Sequence, residues 1–332
     1  MAQNAKCYSG PLSPVKHVHT RRAFFHDYRK PCIYMFTITK HRMAPIFSKL
    51  EGNPYIMSGA DAPHTVLNRA GVIVKEELDK LESFRRDKIR IIKSVIMPDH
   101  LHFVVRVLNE LQKPVTVYVG LTMSACTRRL RDEGILSEDS SCFNSGISDR
   151  IVYKSGQLDV LYKYVTDNPR RLMIKRMLPQ LFRRNLGIRI GEMSLDAIGN
   201  IFLLRKNLKA VHVRRKWNED EVNEYKRECI EGSTQGEVLI SPFIHPVEKE
   251  IMRLALDKGG SVVRIRDRGF GERWKPSGKE FDICAEGRML FIAETGTALH
   301  KTEMHYGKAS HLNDIAEWLA ATPGLFMSIS KR

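Results

Sequence analysis

A chain of 332 residues, 42% of them hydrophobic and with a mean hydropathy of −0.31, is long enough for two ordinary domains. It has no apolar run approaching the roughly 20 residues of a membrane span, so a soluble globular protein with no membrane partner is expected. The net charge of +16 is unevenly placed: residues 1–184 hold 31 Lys and Arg against 17 Asp and Glu, whereas residues 185–332 hold 23 against 21.

A basic surface confined to one part of the chain points to a polyanion partner there, nucleic acid first. The opening "MAQNAKCYSGPLSPVKHVHTRR" lacks the apolar core of a secretory signal, which makes the cytoplasm the expected compartment. Six cysteines (Cys7, Cys32, Cys126, Cys142, Cys229 and Cys284) show no C-x-x-C spacing. That argues against a structural zinc site and against a disulfide framework, and leaves reduced, mostly buried thiols as the expectation.

In chain order, "PCIYMFTITK" (31–40) is rich in β-branched and aromatic residues and predicts a strand, and "LNRAGVIVKEELDKLESF" (67–84) has the apolar spacing of a helix. "IRIIKSVIM" predicts a second strand leading into a third, "HLHFVVRV", and "VTVYVGLTMSACTRRLRDEGI" a second helix. A further helix is expected over 155–168, ended by Pro169 because the residue before proline is pushed out of the helical region. This describes an α+β unit closing near residue 184, with "RMLPQLFRRNLGIRIGEMS" as the boundary region. Beyond it, "GNIFLL", "GEVLISPF", "SVVRIR" and "RMLFIAE" predict short strands, and helical patterns such as "VEKEIMRLALDKGG" lie between several of them. Such alternation suggests βαβ units around a mainly parallel sheet over residues 185–332.

The chemistry centres on "SVIMPDHLHFVVRV" (94–107). In a strand, His100 and His102 project from one face while Leu101 points the other way, so the imidazoles sit side by side and can share a metal ion. The same pair also fits a purely structural role. Asp99 falls on the opposite face of a regular strand and is not expected to be a ligand. In "YKYVTDNPRR", Tyr164 and Asn168 are four residues apart and share a helix face, whereas Tyr162 points elsewhere. Tyr164 could present a nucleophilic phenol and Asn168 an amide oxygen as a third ligand; a core tyrosine beside a helix-ending Asn-Pro is the alternative.

With these residues in view, "MPDHLHFVV" resembles the signature strand of the single-tyrosine HUH transposases, and "YVTDNPRR" resembles the tyrosine helix of their REP-associated members. "RRAFFHDYRKPCIYMFTITKHRMAPIF" is similar to the family's arginine-rich opening and first strand, and "FNSGISDRIVYKSGQLDVLYKYV" to the segment before the tyrosine, so the resemblance spans roughly residues 20–178. It implies a ferredoxin-like α+β HUH nuclease domain over 1–184, with Tyr164 as nucleophile, His100 and His102 as metal ligands and Asn168 at a third polar position. It also implies a single-stranded or hairpin DNA substrate, repetitive palindromes among the candidates, that is cut and rejoined through a 5′-phosphotyrosine. Monomer and homodimer are both open. Mg²⁺ or Mn²⁺ is the expected ion, although imidazole also suits zinc. Arg21, Arg22, Arg170 and Arg171 are candidates for DNA phosphate contacts.

The extension over 185–332 faintly resembles the Rossmann-like domain of DNA-processing proteins related to DprA. There Ser241 and the helix start after "EVLIS" could form an anion site, and "RDRGFGERWKPSG" supplies a glycine-rich loop at the next strand end. Two other readings stand beside the transposase-like enzyme. One is a domesticated DNA-binding or regulatory protein that keeps the fold. The other is a metal-dependent hydrolase in which Tyr164 is dispensable.

Overall fold

The computed structural model describes residues 23, 26–214, 216–272, 274–300 and 302–322, with the backbone of 327–329. The chain divides into two compact units, Met1–Met173 and Ile174–Arg332. Arg21 and Arg22 lie outside the described residues.

The first unit runs β1 (Cys32–Thr39), β2 (Ser48–Glu51), β3 (His64–Leu67), α1 (Arg69–Ser83), β4 (Ile89–Ile96), β5 (His100–Val107), α2 (Val115–Asp132), β6 (Ser148–Val152) and α3 (Gln157–Met177), the last of which continues past Met173. Its main sheet has the order β4-β5-β1-β6 with every neighbour antiparallel, and β2 and β3 form a separate hairpin. Without that hairpin the order is β-α-β-β-α-β, two split βαβ units that share one sheet.

Alternation along the strands divides the unit into two cores. Tyr34, Phe36, Ile38, Leu101, Phe103 and Val105 face α1 and α2, which contribute Ile73, Val74, Leu78, Val119, Cys126 and Leu130. Met35 and Val104 face the other way and pack with Leu161 and Val165 of α3. The seat of α1 is tight. Asn68 caps it by accepting from the Gly71 N–H at 3.0 Å and donates to the Ile46 carbonyl, and a Cβ at Gly71 would lie 1.9 Å from the Phe47 carbonyl oxygen, so only glycine fits.

α3 does not end before Pro169; it carries that proline inside and reaches Met177. Proline lacks the N–H that would bond to Val165 four residues back, which makes an interior position costly. Two things hold the helix through it: the Asn168 side chain donates from Nδ2 to the Tyr164 carbonyl at 3.1 Å, and the flanking residues Val165 and Ile174 are both buried.

The second unit adds α4 (Pro179–Phe182), β7 (Asn185–Ile190), β8 (Met193–Gly199), a 3₁₀ turn (Ile201–Arg205), β9 (Leu208–Ala210), α5 (Glu219–Thr234), β10 (Val238–Ser241), α6 (Pro246–Asp257), β11 (Ser261–Ile265), α7 (Lys279–Ala285), β12 (Met289–Glu294), α8 (Tyr306–Ala321) and β13 (Met327–Ile329). Seven strands form one sheet in the order β13-β7-β8-β12-β11-β10-β9. The four from β12 to β9 are parallel, while β8, β7 and β13 join antiparallel, so the sheet is mixed rather than mainly parallel. Buried residues of α8 lie on one face of the sheet and those of α4, α5, α6 and α7 on the other.

Three expectations change here. "GNIFLL" is not a strand: Asn200 accepts from the Phe202 N–H and starts the 3₁₀ turn, leaving Phe202 exposed while Leu203 and Leu204 are buried. The boundary falls inside α3 rather than at 184/185, because Ile174 and Phe182 belong to the core built on Phe281 and Phe291. The strand order also lacks the reversal that marks a doubly wound Rossmann sheet, since β9 to β12 follow each other in sequence and their three connecting helices share one face.

Candidate active site

The face of β5 opposite α1 and α2 carries His100, His102, Val104 and Arg106. The histidine ring centres are 4.6 Å apart, and the Tyr164 ring of α3 stands edge-on to His102 at 5.4 Å. Leu161 and Val165 set this proximity: they seat the helix on Met35 and Val104, and Tyr164, three residues beyond Leu161, then lies at the rim. His102 is buried at 5% exposure, whereas Tyr164 is 38% exposed and its hydroxyl makes no hydrogen bond among the described residues. A shielded imidazole beside an accessible phenol can hold and attack a substrate from solvent.

Both imidazoles are fixed at Nδ1. His102 Nδ1 lies 2.8 Å from Thr37 Oγ1, and Thr37 is its direct cross-strand partner on β1. His100 Nδ1 lies 2.7 Å from Asp99 Oδ1. The sequence reading put Asp99 on the other face; β5 begins at His100, so strand alternation does not govern Asp99. An oxygen partner on one ring nitrogen fixes the ring and presents the other nitrogen, the arrangement that metal-binding histidines use. Among the described residues no cluster of three or more His, Cys, Asp or Glu side chains is placed to hold a metal. The chain's donors here are therefore two imidazoles, with the amide of Asn168 as the remaining candidate. Asn168 is buried on the sheet-facing stripe Leu161–Val165–Asn168, and its Nδ2 is committed to the Tyr164 carbonyl, leaving Oδ1 as the atom with coordinating capacity. The donor chemistry fits a divalent cation in an open site.

Tyr162 packs under the Lys93 ammonium at 5.1 Å, and Tyr153 stands 6.2 Å from His26. Of the arginines proposed for phosphate contacts, Arg170 pairs with Asp167 at 2.6 Å and is largely buried, and Arg171 is half-buried. Three further cations, which the sequence reading did not single out, lie on the histidine face. Arg90 is the cross-strand partner of Arg106, and Lys93 is that of Val104, so all three cations share the histidine face. Arg90 and Arg106 are exposed like charges directly opposite each other, which is unfavourable for the sheet by itself. Arg106 lies four residues along β5 from His102, roughly 13 Å at the strand rise.

Ser241 is not part of an anion site. It is fully buried and its Oγ accepts from the Phe243 N–H at 2.9 Å, supporting a turn in which Phe243 takes the left-handed φ of 50°. At the start of α6 the buried Glu248 carboxylate accepts from the N–H groups of Val213, Ile244 and His245, so the chain supplies its own anion there.

No protein-family model matches the chain, and no curated protein matches it. Among solved structures it is similar to a REP-associated tyrosine transposase bound to a REP hairpin, at 13% identity and a TM-score of 0.32 over 45% of this chain and 72% of that one. It is also similar to a Deinococcus radiodurans protein assigned as a transposase, at 12% identity and a TM-score of 0.27 over 44% of this chain and 96% of that one. Likenesses of this size leave the assignment to the geometry of the site itself. No described helix is long and apolar enough to cross a membrane.

Proposed function

We propose that the first unit cleaves and rejoins single-stranded or hairpin DNA, with Tyr164 as nucleophile and His100, His102 and Asn168 holding a divalent cation. The observation that carries this reading is the Tyr164 ring 5.4 Å from His102, whose own ring stands 4.6 Å from His100. Mg²⁺ or Mn²⁺ bound there would polarise a non-bridging phosphate oxygen and offset the negative charge that builds on phosphorus.

The chain's own residues do the rest. Thr37 and Asp99 hold the two rings by Nδ1, and Nε2 of each would be the nitrogen that holds the cation. Arg90, Lys93 and Arg106 continue the histidine face as a track of positive charge for neighbouring phosphates. Tyr164 Oη forms a bond to phosphorus as the bond from phosphorus to the 3′-oxygen breaks; the phenol proton leaves to solvent and the 3′-oxygen takes one from it. The 5′-phosphotyrosine keeps the ester bond, so a second 3′-hydroxyl can displace Tyr164 without a nucleotide cofactor.

The test is a denaturing gel of the protein with a labelled single-stranded hairpin. Wild type should give a covalent protein-DNA band, and Tyr164→Phe should lose it while binding the same DNA with affinity unchanged within about twofold, since only a hydroxyl is removed. Cleavage without any adduct in wild type would favour a hydrolase, and binding without cleavage a regulatory protein that keeps the fold.

A further inference from the structure

The second unit carries its own unexplained chemistry, at the carboxyl end of β11. Arg266 lies just past that strand, its guanidinium carbon 4.0 Å from the centre of the Trp274 ring and 4.6 Å from that of Phe270. Its Nη1 is buried and makes no hydrogen bond among the described residues. Two residues on, the Nε of Arg268 is buried and equally unbonded; the nearest Asp267 carboxylate oxygen stands 3.6 Å away, beyond hydrogen-bond range. Burial, then repulsion from Arg268, pulls the Arg266 pKa down to about 10. Lys275 is shifted downward as well, by burial and then by Arg184, which itself donates to the Phe270 carbonyl.

Buried guanidinium donors are normally paired, because leaving one unsatisfied costs its full desolvation. Contact with an aromatic face recovers only part of that cost. The frame around these donors is built rather than loose. The Gly269 N–H donates to the Ala298 carbonyl at 3.0 Å, and a Cβ at Gly269 would lie 2.6 Å from the Thr297 carbonyl oxygen, so the loops after β11 and β12 are pinned together. The donors thus lie at the carboxyl ends of two adjacent parallel strands, β11 and β12.

We propose that Arg266 and Arg268 form a phosphate-binding site at the carboxyl ends of β11 and β12. Guanidinium groups match phosphate oxygens with paired, charge-assisted hydrogen bonds, and two more cations add positive charge: Lys275 from the same loop, and Arg184 from the turn before β7, which donates to the Phe270 carbonyl of that loop. The Trp274 ring is taken by Arg266 and by Phe291, whose centre is 5.2 Å away, so the site recognises the phosphate and offers no platform for a base. A free nucleotide and a nucleic-acid backbone carry the same group. This site stands independently of the reading of the first unit.

All three tryptophans, Trp217, Trp274 and Trp318, lie in the second unit, so the emission arises there. In the full chain with Trp217→Phe and Trp318→Phe, Trp274 emission is followed during titration with inorganic phosphate, ATP and a 5′-phosphorylated oligothymidylate, each against chloride at equal ionic strength. A saturable change is expected, weakened at least about tenfold in Arg268→Gln and lost in Arg266→Met, which keeps an apolar stem on Trp274. Tighter binding of ATP than of the oligonucleotide assigns the site to a free nucleotide, and the reverse order assigns it to a nucleic-acid backbone. No saturable change with any of the three probes, or an unchanged response in Arg268→Gln, would overturn the proposal; Arg268 is 40% exposed, so that variant should fold.

Discussion

His102 is held by a residue that no local pattern in the sequence could have revealed. Thr37 lies 65 positions earlier and meets His102 only because β1 and β5 pair in the register that sets them opposite. On the proposed reading Thr37 acts through His102, and losing a partner that orients a metal ligand typically weakens metal binding about 10- to 100-fold. Thr37→Val should therefore lower the affinity for Mn²⁺ by about tenfold, measured by calorimetry on the folded full chain, while Thr37→Ser, which keeps the hydroxyl, should restore most of it. Equal affinity in Thr37→Val and wild type would leave Thr37 a purely structural partner. The shared face of His100 and His102 and the i,i+4 pairing of Tyr164 with Asn168 were legible as geometry, because H-x-H spacing on a strand and i,i+4 spacing on a helix need no tertiary information. Arg90, Lys93 and Arg106 were not, since their common face depends on the β4-β5 register and on the irregularity between Ile91 and Lys93.

Elements with strong periodicity stand where the sequence puts them: β1 within 31–40, α1 within 67–84, and β10, β11 and β12 within their apolar runs. The misreadings share a cause, which is that a local signal was overridden by packing or capping. Pro169 should stop a helix, yet α3 carries buried residues on both sides of it. The apolar run at 201–204 looks like a strand but is wound by the Asn200 cap. The start of α6 looks like an anion site, and Glu248 of the same helix fills it. That carboxylate accepts three backbone N–H bonds at 2.9–3.1 Å and is 3% exposed. Glu248→Ala should therefore destabilise the second unit by about 3 kcal/mol, since it strands several buried donors at once. Denaturant unfolding followed by tryptophan emission measures this, and a loss under about 1 kcal/mol would mean that water replaces the carboxylate.

Charge and core divide the whole molecule at slightly different places, and the difference makes a prediction. Residues 1–184 carry 31 basic against 17 acidic side chains, so a fragment with that range should keep most of the salt-dependent DNA affinity, because each phosphate neutralised releases counterions. The complementary fragment is another matter. Begun at residue 185, it lacks Phe182, which stacks on Phe281 at 4.7 Å, and Ile174, both members of the core under β12. Deleting two buried apolar side chains of this size costs about 4 kcal/mol or more, a large share of a domain's stability. A fragment of residues 174–332 should thus melt cooperatively and stay monodisperse, whereas one of residues 185–332 should melt at least about 10 °C lower or aggregate. Calorimetry on both fragments decides it, and equal melting temperatures would place the end of the second unit's core after residue 184. Binding of one hairpin oligonucleotide across a salt series then separates the two contributions. The fall of log K with log salt should be nearly as steep for residues 1–184 as for the full chain and much shallower for residues 174–332, whose few candidate phosphate ligands form a local site rather than a track. An equal slope for residues 174–332 and the full chain would move the main DNA contact to the second unit.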